Sequence, residues 1–242
     1  MTANAAAIIL AAGKGTRMKS GLPKVMHRLA GRPMIGHVLD NLAPLGCAPV
    51  VVVLAPGMED VAKAVAPHPT AVQAQQLGTG HAVLAARTAI NGFAGDVLVL
   101  FGDTPFISSE TIGRLLARRR AVDDPAVVVL SMRLADPAEY GRLVTAADGG
   151  LDAIVEFRDA DAQQRKINLC NSGIMAIDGR RLFGLLDRVG NRNAKAEYYL
   201  TDIVALARQD GAPCAIVEAP VAELIGVNSR ADLAAAEALL QD

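Results

Sequence analysis

AAAIILAAGKGTRMKSGLPK, running from Ala5 to Lys24, passes from an unbroken apolar run, Ala5 to Leu10, into a loop of small residues with Gly13 and Gly15 and cations that include Lys14, Arg17 and Lys24. A short apolar run without polar alternation reads as a strand buried on both faces. The small-residue loop after it lets backbone N–H groups approach a phosphate chain, which the cations can neutralise. The expected ligand is a nucleotide. A surface turn with solvated cations is the competing reading.

Two familiar loops share these residue types and fail on spacing. A P-loop needs a glycine five residues before its Gly-Lys, yet Ile8 stands five before Gly13 and Leu10 five before Gly15. The dinucleotide fingerprint would take Gly13 and Gly15 as its first two glycines, but its third falls on Met18.

Working outward, short apolar runs alternate with helix-length amphipathic stretches. Strands are expected at Ala5–Leu10, Val50–Leu54, Ala71–Gln73, Val97–Phe101 and Val127–Met132, and helices at Met34–Leu42, Met58–Val65, His81–Ile90 and Glu110–Val122. This βαβ grammar predicts a mostly parallel sheet covered on both faces, with ligands beyond the carboxyl ends of its strands. After Arg133 the pieces shorten to strands at Arg142–Thr145, Ala153–Phe157 and Ser172–Ile177, expected to form a lobe over the sheet edge. Helices follow at Arg181–Val189, Leu200–Gln209 and Ala231–Leu240, with a strand at Cys214–Glu218. With no repeat or low-complexity linker, 1–242 reads as one domain: a nucleotide-binding half to about 133, a second half over 134–228, and a C-terminal helix over 229–242.

A net charge of −1 provides no field for nucleic acid or an anionic membrane, and the basic run Arg118–Arg120 reads as a solvated helix face. No apolar run is long enough to span a bilayer and no leader is apparent, so a soluble, cytoplasmic protein is expected. Cys47, Cys170 and Cys214 are odd in number and widely spaced, which predicts reduced thiols. His27, His37, His68 and His81 are equally scattered and suggest no metal cluster.

Asp103 follows an apolar strand and Gly102, a position where one carboxylate could serve Mg²⁺, which keeps phosphate and water in its other sites. A turn or capping aspartate is the equal alternative. The only Asp-x-Asp pair, Asp159 and Asp161, lies in a polar stretch and reads as a solvated turn. The polar run from Gln73 through Gln75, Gln76 and Gly78–Thr79 to His81 suits the edge of a base, or simply a helix entrance. Tyr140-Gly141-Arg142, Glu156 and Asn171-Ser172-Gly173 sit beside apolar strands and suit sugar hydroxyls and an amide.

Those motifs, in order, together with Leu22-Pro23-Lys24, Glu197 to Asp202 and Val227 to Arg230, resemble the uridyltransferase domain of bacterial bifunctional N-acetylglucosamine-1-phosphate uridyltransferases over almost the whole chain. The resemblance implies a Rossmann-like, three-layer α/β nucleotidyltransferase fold with a mixed, mostly parallel sheet and a sugar-binding lobe. It implies that UTP and N-acetylglucosamine 1-phosphate give UDP-N-acetylglucosamine and pyrophosphate with Mg²⁺. Backbone at Leu10, Ala11, Ala12 and Gly13 would hold the nucleotide, Gln73, Gly78 and Thr79 would read uracil, and Phe101, Gly102 and Asp103 would lie under the ribose and phosphates. Gly141, Glu156, Asn171 and Asn228 would hold the sugar, and Asp103 and Asn228 the metal. Arg17 and Lys24 would neutralise the reacting phosphates.

Phe101 stands where the family commonly has tyrosine, so any contribution of a phenol hydroxyl is lost there. The acetyltransferase domain of hexapeptide repeats into which the bifunctional relatives continue is expected to be absent. Two alternatives stay open: a related nucleotidyltransferase with another base or sugar, and a non-catalytic nucleotide-sugar binding protein. Oligomeric state is left open.

Overall fold

In a computed structural model, described over residues 4–239, the opening run forms β1, Ala5–Leu10, every residue of it buried. A small hairpin, β2 (Arg28–Leu29) and β3 (Arg32–Pro33), precedes α1 (Met34–Leu42). The nucleotide half continues with β4 (Val50–Leu54), α2 (Glu59–Ala64), β5 (Thr70–Val72), α3 (Thr79–Ala85), β6 (Asp96–Phe101), α4 (Ser109–Arg119) and β7 (Val127–Arg133). After these come β8 (Arg142–Thr145), β9 (Leu151–Val155), β10 (Leu169–Asp178), α5 (Gly179–Leu186), α6 (Asp202–Gln209), β11 (Cys214–Glu218), α7 (Val221–Leu224) and α8 (Arg230–Leu239). Leu240 of the expected last helix lies outside the described residues.

The sheet order is β11-β7-β10-β6-β1-β4-β5. Parallel pairing joins β6, β1, β4 and β5, and also β7 with β11, while β10 runs antiparallel between β6 and β7. The sheet is thus mixed and mostly parallel. Side chains alternate between two cores: Ile8, Val51 and Val99 pack with α3, α5 and α6, whereas Ile9, Val52 and Leu98 pack with α1 and α4. Helices cover both faces.

Three expectations need correction. The second half is not a lobe laid over the sheet edge, because β10 is inserted inside the sheet and only the β8–β9 hairpin stands off its main path. β9 ends at Val155 rather than Phe157, whose ring centroid lies 5.4 and 4.9 Å from the guanidinium carbons of Arg142 and Arg165. Arg119 is 3% exposed rather than solvated, and it is paired with Asp96, Asp124 and Asp178 at the end of the sheet away from the β1 loop. Leaving the buried carboxylates of Asp96 and Asp178 unpaired would be more costly than ordering one arginine. Among the described residues no helix is long and apolar enough to cross a membrane.

Candidate active site

β1 connects outward to β4 and β5, and the chain then returns to β6 on the other side of β1. The loops leaving β1 and β6 therefore diverge and open a crevice at the carboxyl edge, the general ligand position of open α/β sheets. A cavity of about 360 Å³ lies there. Its floor is Leu10 to Gly13, with Lys24, Phe101, Asp103 and Asn228 on one side and Gln73, Gly78 and Thr79 on the other.

Ala11 N donates to Val53 O at 2.9 Å and Gly102 N to Leu10 O at 3.0 Å, so strand pairing extends just into each loop. Beyond it, the N–H groups of Ala12, Gly13, Lys14 and Gly15 find no acceptor among the described residues. Gly15 has φ of 59°, and a Cβ there would fall 2.7 Å from Lys24 Cβ, so glycine is what allows the loop to fold back against Lys24.

The Lys24 ammonium pairs with the Asp103 carboxylate and donates to Asn228 Oδ1 at 3.0 Å. Asn228 spends Nδ2 on Gly226 O at 3.1 Å, which leaves Oδ1 facing the lysine. Its backbone is held by α8: Asp232 accepts from Asn228 N and Ser229 N, both at 2.9 Å, and Asp232 N donates to Ser229 Oγ at 3.1 Å. The Ser229-x-x-Asp232 spacing is a capping-box pattern, the sequence signal that could have marked the neighbouring Asn228. Arg230 Nε also donates to Met18 O at 3.1 Å, tying α8 to the first loop.

On the opposite wall Gln73 is 4% exposed and donates from Nε2 to Gly78 O at 3.0 Å. A carbonyl can face only the amide's NH₂, so Gln73 Oε1 remains as an acceptor. Gly78 has φ of 114°, and a Cβ would fall 2.6 Å from Tyr198 O. The turn is stitched to the second half by Gly80 N to Tyr198 O, Tyr198 N to Leu77 O and Leu200 N to Thr79 Oγ1, at 2.8, 2.7 and 3.0 Å. α6 starts at Asp202 rather than at the expected Leu200, whose N–H is the one bonded to Thr79 Oγ1.

Gly141, Glu156 and Asn171 also meet: a Cβ on Gly141 would lie 3.5 Å from Asn171 Cβ and 3.6 Å from Glu156 Oε1. Asn171 N donates to Gly141 O at 2.9 Å, and Asn171 Oδ1 accepts from Gly173 N at 2.8 Å. The Phe101 ring rests against Gly173, linking this cluster to the nucleotide-side cavity. Neither Gly141 nor Asn171 lines that cavity, and Glu156 faces a separate hollow of about 350 Å³ with Asp159, Tyr199 and Asp202. Burial pushes the Glu156 carboxyl up, opposed by Lys195 and by the Thr201 hydroxyl, which donates to it at 3.2 Å. Burial, helped by the negative charges of Glu156 and Asp159, pushes Asp202 up to about 6.

Gly102 is buried behind the cavity wall, against Val25. Arg17 is exposed, outside the cavity lining and without an ion-pair partner among the described residues. It is near enough to the Tyr140 phenol for its charge to act on that group. Gln76, part of the polar run, and Glu197, the first residue of the Glu197 to Asp202 motif, also line the cavity, although neither was expected as a binding residue by itself. Gln76 donates from Nε2 to Ala12 O at 2.6 Å, bridging the two walls, and nothing in the Gln75-Gln76 pair distinguishes it by sequence.

Residues 7–167 match the MobA-like NTP transferase domain family. The chain belongs to that family. As an NTP transferase domain it is similar to the bifunctional protein GlmU of Rhodospirillum rubrum, 61% identical over 236 residues that cover 98% of this chain and 53% of that protein. The GlmU of Paramagnetospirillum magneticum is 62% identical over 236 residues, covering 98% and 52%. The chain thus spans about half the length of the curated relatives it matches. A Bacillus anthracis crystal structure assigned as a glucose-1-phosphate thymidylyltransferase, in complex with sucrose, superposes with a TM-score of 0.77 at 19% identity, covering 98% of this chain and 96% of that one. The transferase domain therefore has the same fold as that protein.

Proposed function

We propose that this domain transfers UMP from UTP to N-acetylglucosamine 1-phosphate in the cytoplasm, releasing pyrophosphate and forming UDP-N-acetylglucosamine. The observation that carries this reading is the Lys24–Asp103–Asn228 cluster at the edge of a cavity whose far wall is the Gln73–Thr79 turn. The similarity to GlmU proteins along the chain supports the choice of substrates.

Uracil presents an N3–H donor between two carbonyl acceptors. Gln73 Oε1 suits the donor, and the N–H groups of Gly78 and Thr79, which have no acceptor among the described residues, suit a carbonyl. Cytosine offers an acceptor at N3 and would leave Gln73 Oε1 facing a lone pair. The unpaired N–H groups of Ala12 to Gly15 suit the triphosphate. Gly141, Glu156 and Asn171 supply backbone, carboxylate and amide groups for the sugar.

A sugar-phosphate oxygen attacks the α-phosphorus of UTP, forming one P–O bond as the bond to the pyrophosphate oxygen breaks. Two anions must meet, so the protein's work is positioning and charge neutralisation, with no nucleophilic side chain required. Lys24 provides the cation nearest the Asp103 side of the cavity, and Arg17 is a second, free to reorient from its exposed position. Asp103 and Asn228 fit Mg²⁺, because their side-chain oxygens already converge on one cation, the Lys24 ammonium, and Mg²⁺ needs few protein oxygens when phosphates complete its shell. When bound there, the ion would neutralise phosphate charge and polarise the P–O bonds.

Pyrophosphate release in Mg²⁺ tests the reading. UTP with N-acetylglucosamine 1-phosphate should turn over, while CTP, GTP or glucose 1-phosphate should give little product. Equal turnover of another pair would make it a sister transferase, and nucleotide-sugar binding without pyrophosphate release would make it a binding protein.

A further inference from the structure

Arg142 is one of two buried arginines among the described residues, 2% exposed, and no carboxylate pairs with it among them. Buried arginines ordinarily sit against acids, as Arg119 does here. The Arg142 guanidinium instead gathers backbone carbonyls: it donates to Ala138 O at 3.0 Å, to Pro137 O and Arg165 O at 3.4 Å, and to Tyr140 O. Its guanidinium carbon lies over the Phe157 ring, 5.4 Å from the centroid.

Two of these contacts, Tyr140 O and the Phe157 ring, and the strand pairing of Arg142 with Cys170 each stand next to a candidate sugar residue. Gly141 lies between Tyr140, whose carbonyl is gripped, and Arg142 itself. Glu156 precedes the stacked Phe157, and Asn171 follows Cys170, the residue paired with Arg142 across β8 and β10. We propose that Arg142 is a positioning residue for the sugar phosphate, a single planar fork that sets the Gly141 backbone, the Glu156 carboxylate and the Asn171 amide relative to one another. The assignment rests on the sugar-side reading above. Lysine cannot replace it fully, because an ammonium has three donors, no fixed plane and no face to stack.

Steady-state pyrophosphate release by wild type, Arg142→Met and Arg142→Lys, with thermal unfolding of each, tests this. Arg142→Met should unfold cooperatively and raise the KM for N-acetylglucosamine 1-phosphate by about tenfold or more, with the KM for UTP within about twofold of wild type; Arg142→Lys should fall between. A folded Arg142→Met with both KM values unchanged, or both raised equally, overturns the proposal. If Arg142→Met does not fold, Arg142→Lys and Phe157→Leu carry the same comparison with the same deciding outcomes. A wild type that turns over a different sugar phosphate corrects the substrate assignment, and the KM split is then read with that sugar. A wild type inactive with every sugar phosphate overturns both readings.

Discussion

The nucleotide side and the sugar side of this domain are built by different means. On the nucleotide side, three of the functional segments leave the carboxyl ends of parallel strands: Ala11 to Gly13 after β1, Gln73 after β5 and Asp103 after β6. The sheet brings these loops to one edge, and hydrogen bonds from Gln76, Tyr198 and Arg230 tie the segments that follow them in place. On the sugar side, Gly141 just precedes β8, Glu156 just follows β9 and Asn171 lies in the inserted β10, and their meeting depends on antiparallel register and on a buried arginine. One side is placed by topology, the other by side-chain packing.

If the nucleotide side carries the chemistry, its changes should strike turnover hardest. Asp103→Asn should lower turnover by about a thousandfold or more while leaving the thermal transition cooperative, because it removes the charged oxygen offered to the metal. Wild-type turnover in a folded Asp103→Asn protein would detach the metal from this site. Lys24→Ala should cost on the order of 10²-fold in kcat, the loss typical of one electrostatic donor. An unchanged kcat would remove Lys24 from the reaction.

The sugar side should answer in stability and pH instead. Asp202 has its pKa raised to about 6 in the fold, so it favours the folded state while protonated. That contribution is complete below the unfolded carboxylate range near 4 and is lost as pH rises through about 6. Asp202→Asn should therefore raise the unfolding free energy at pH 8 by about 1 kcal/mol, the half-buried position being screened by solvent, and change little at pH 3.5. Denaturant melts at the two pH values would expose the opposite trend if Asp202 were stabilised by a partner.

The same contrast explains what was legible in the sequence. β1, β4, β8 and β11 have the boundaries their apolar runs suggest, and α1 those of its amphipathic period, because burial on fixed faces writes itself into residue order. The insertion of β10 between β6 and β7 was not legible, since partners as distant in sequence as Leu169 and Arg133 or Met175 and Val99 leave no local pattern. In the site, Lys24 and Asp103 were legible from their loops. Asn228 came from resemblance alone, although the capping box beside it is a physical signal for the start of α8. Arg119 looked like part of a solvated run because nothing local announces its long-range partners Asp96 and Asp178.

A crossed pair of substitutions tests the division most directly, with KM measured for both substrates in Gln73→Ala and Glu156→Ala. Gln73→Ala should raise the KM for UTP about tenfold and leave that for N-acetylglucosamine 1-phosphate within about twofold, and Glu156→Ala should do the reverse. If either substitution moves both values equally, the two sides are not separate binding regions and the account is contradicted.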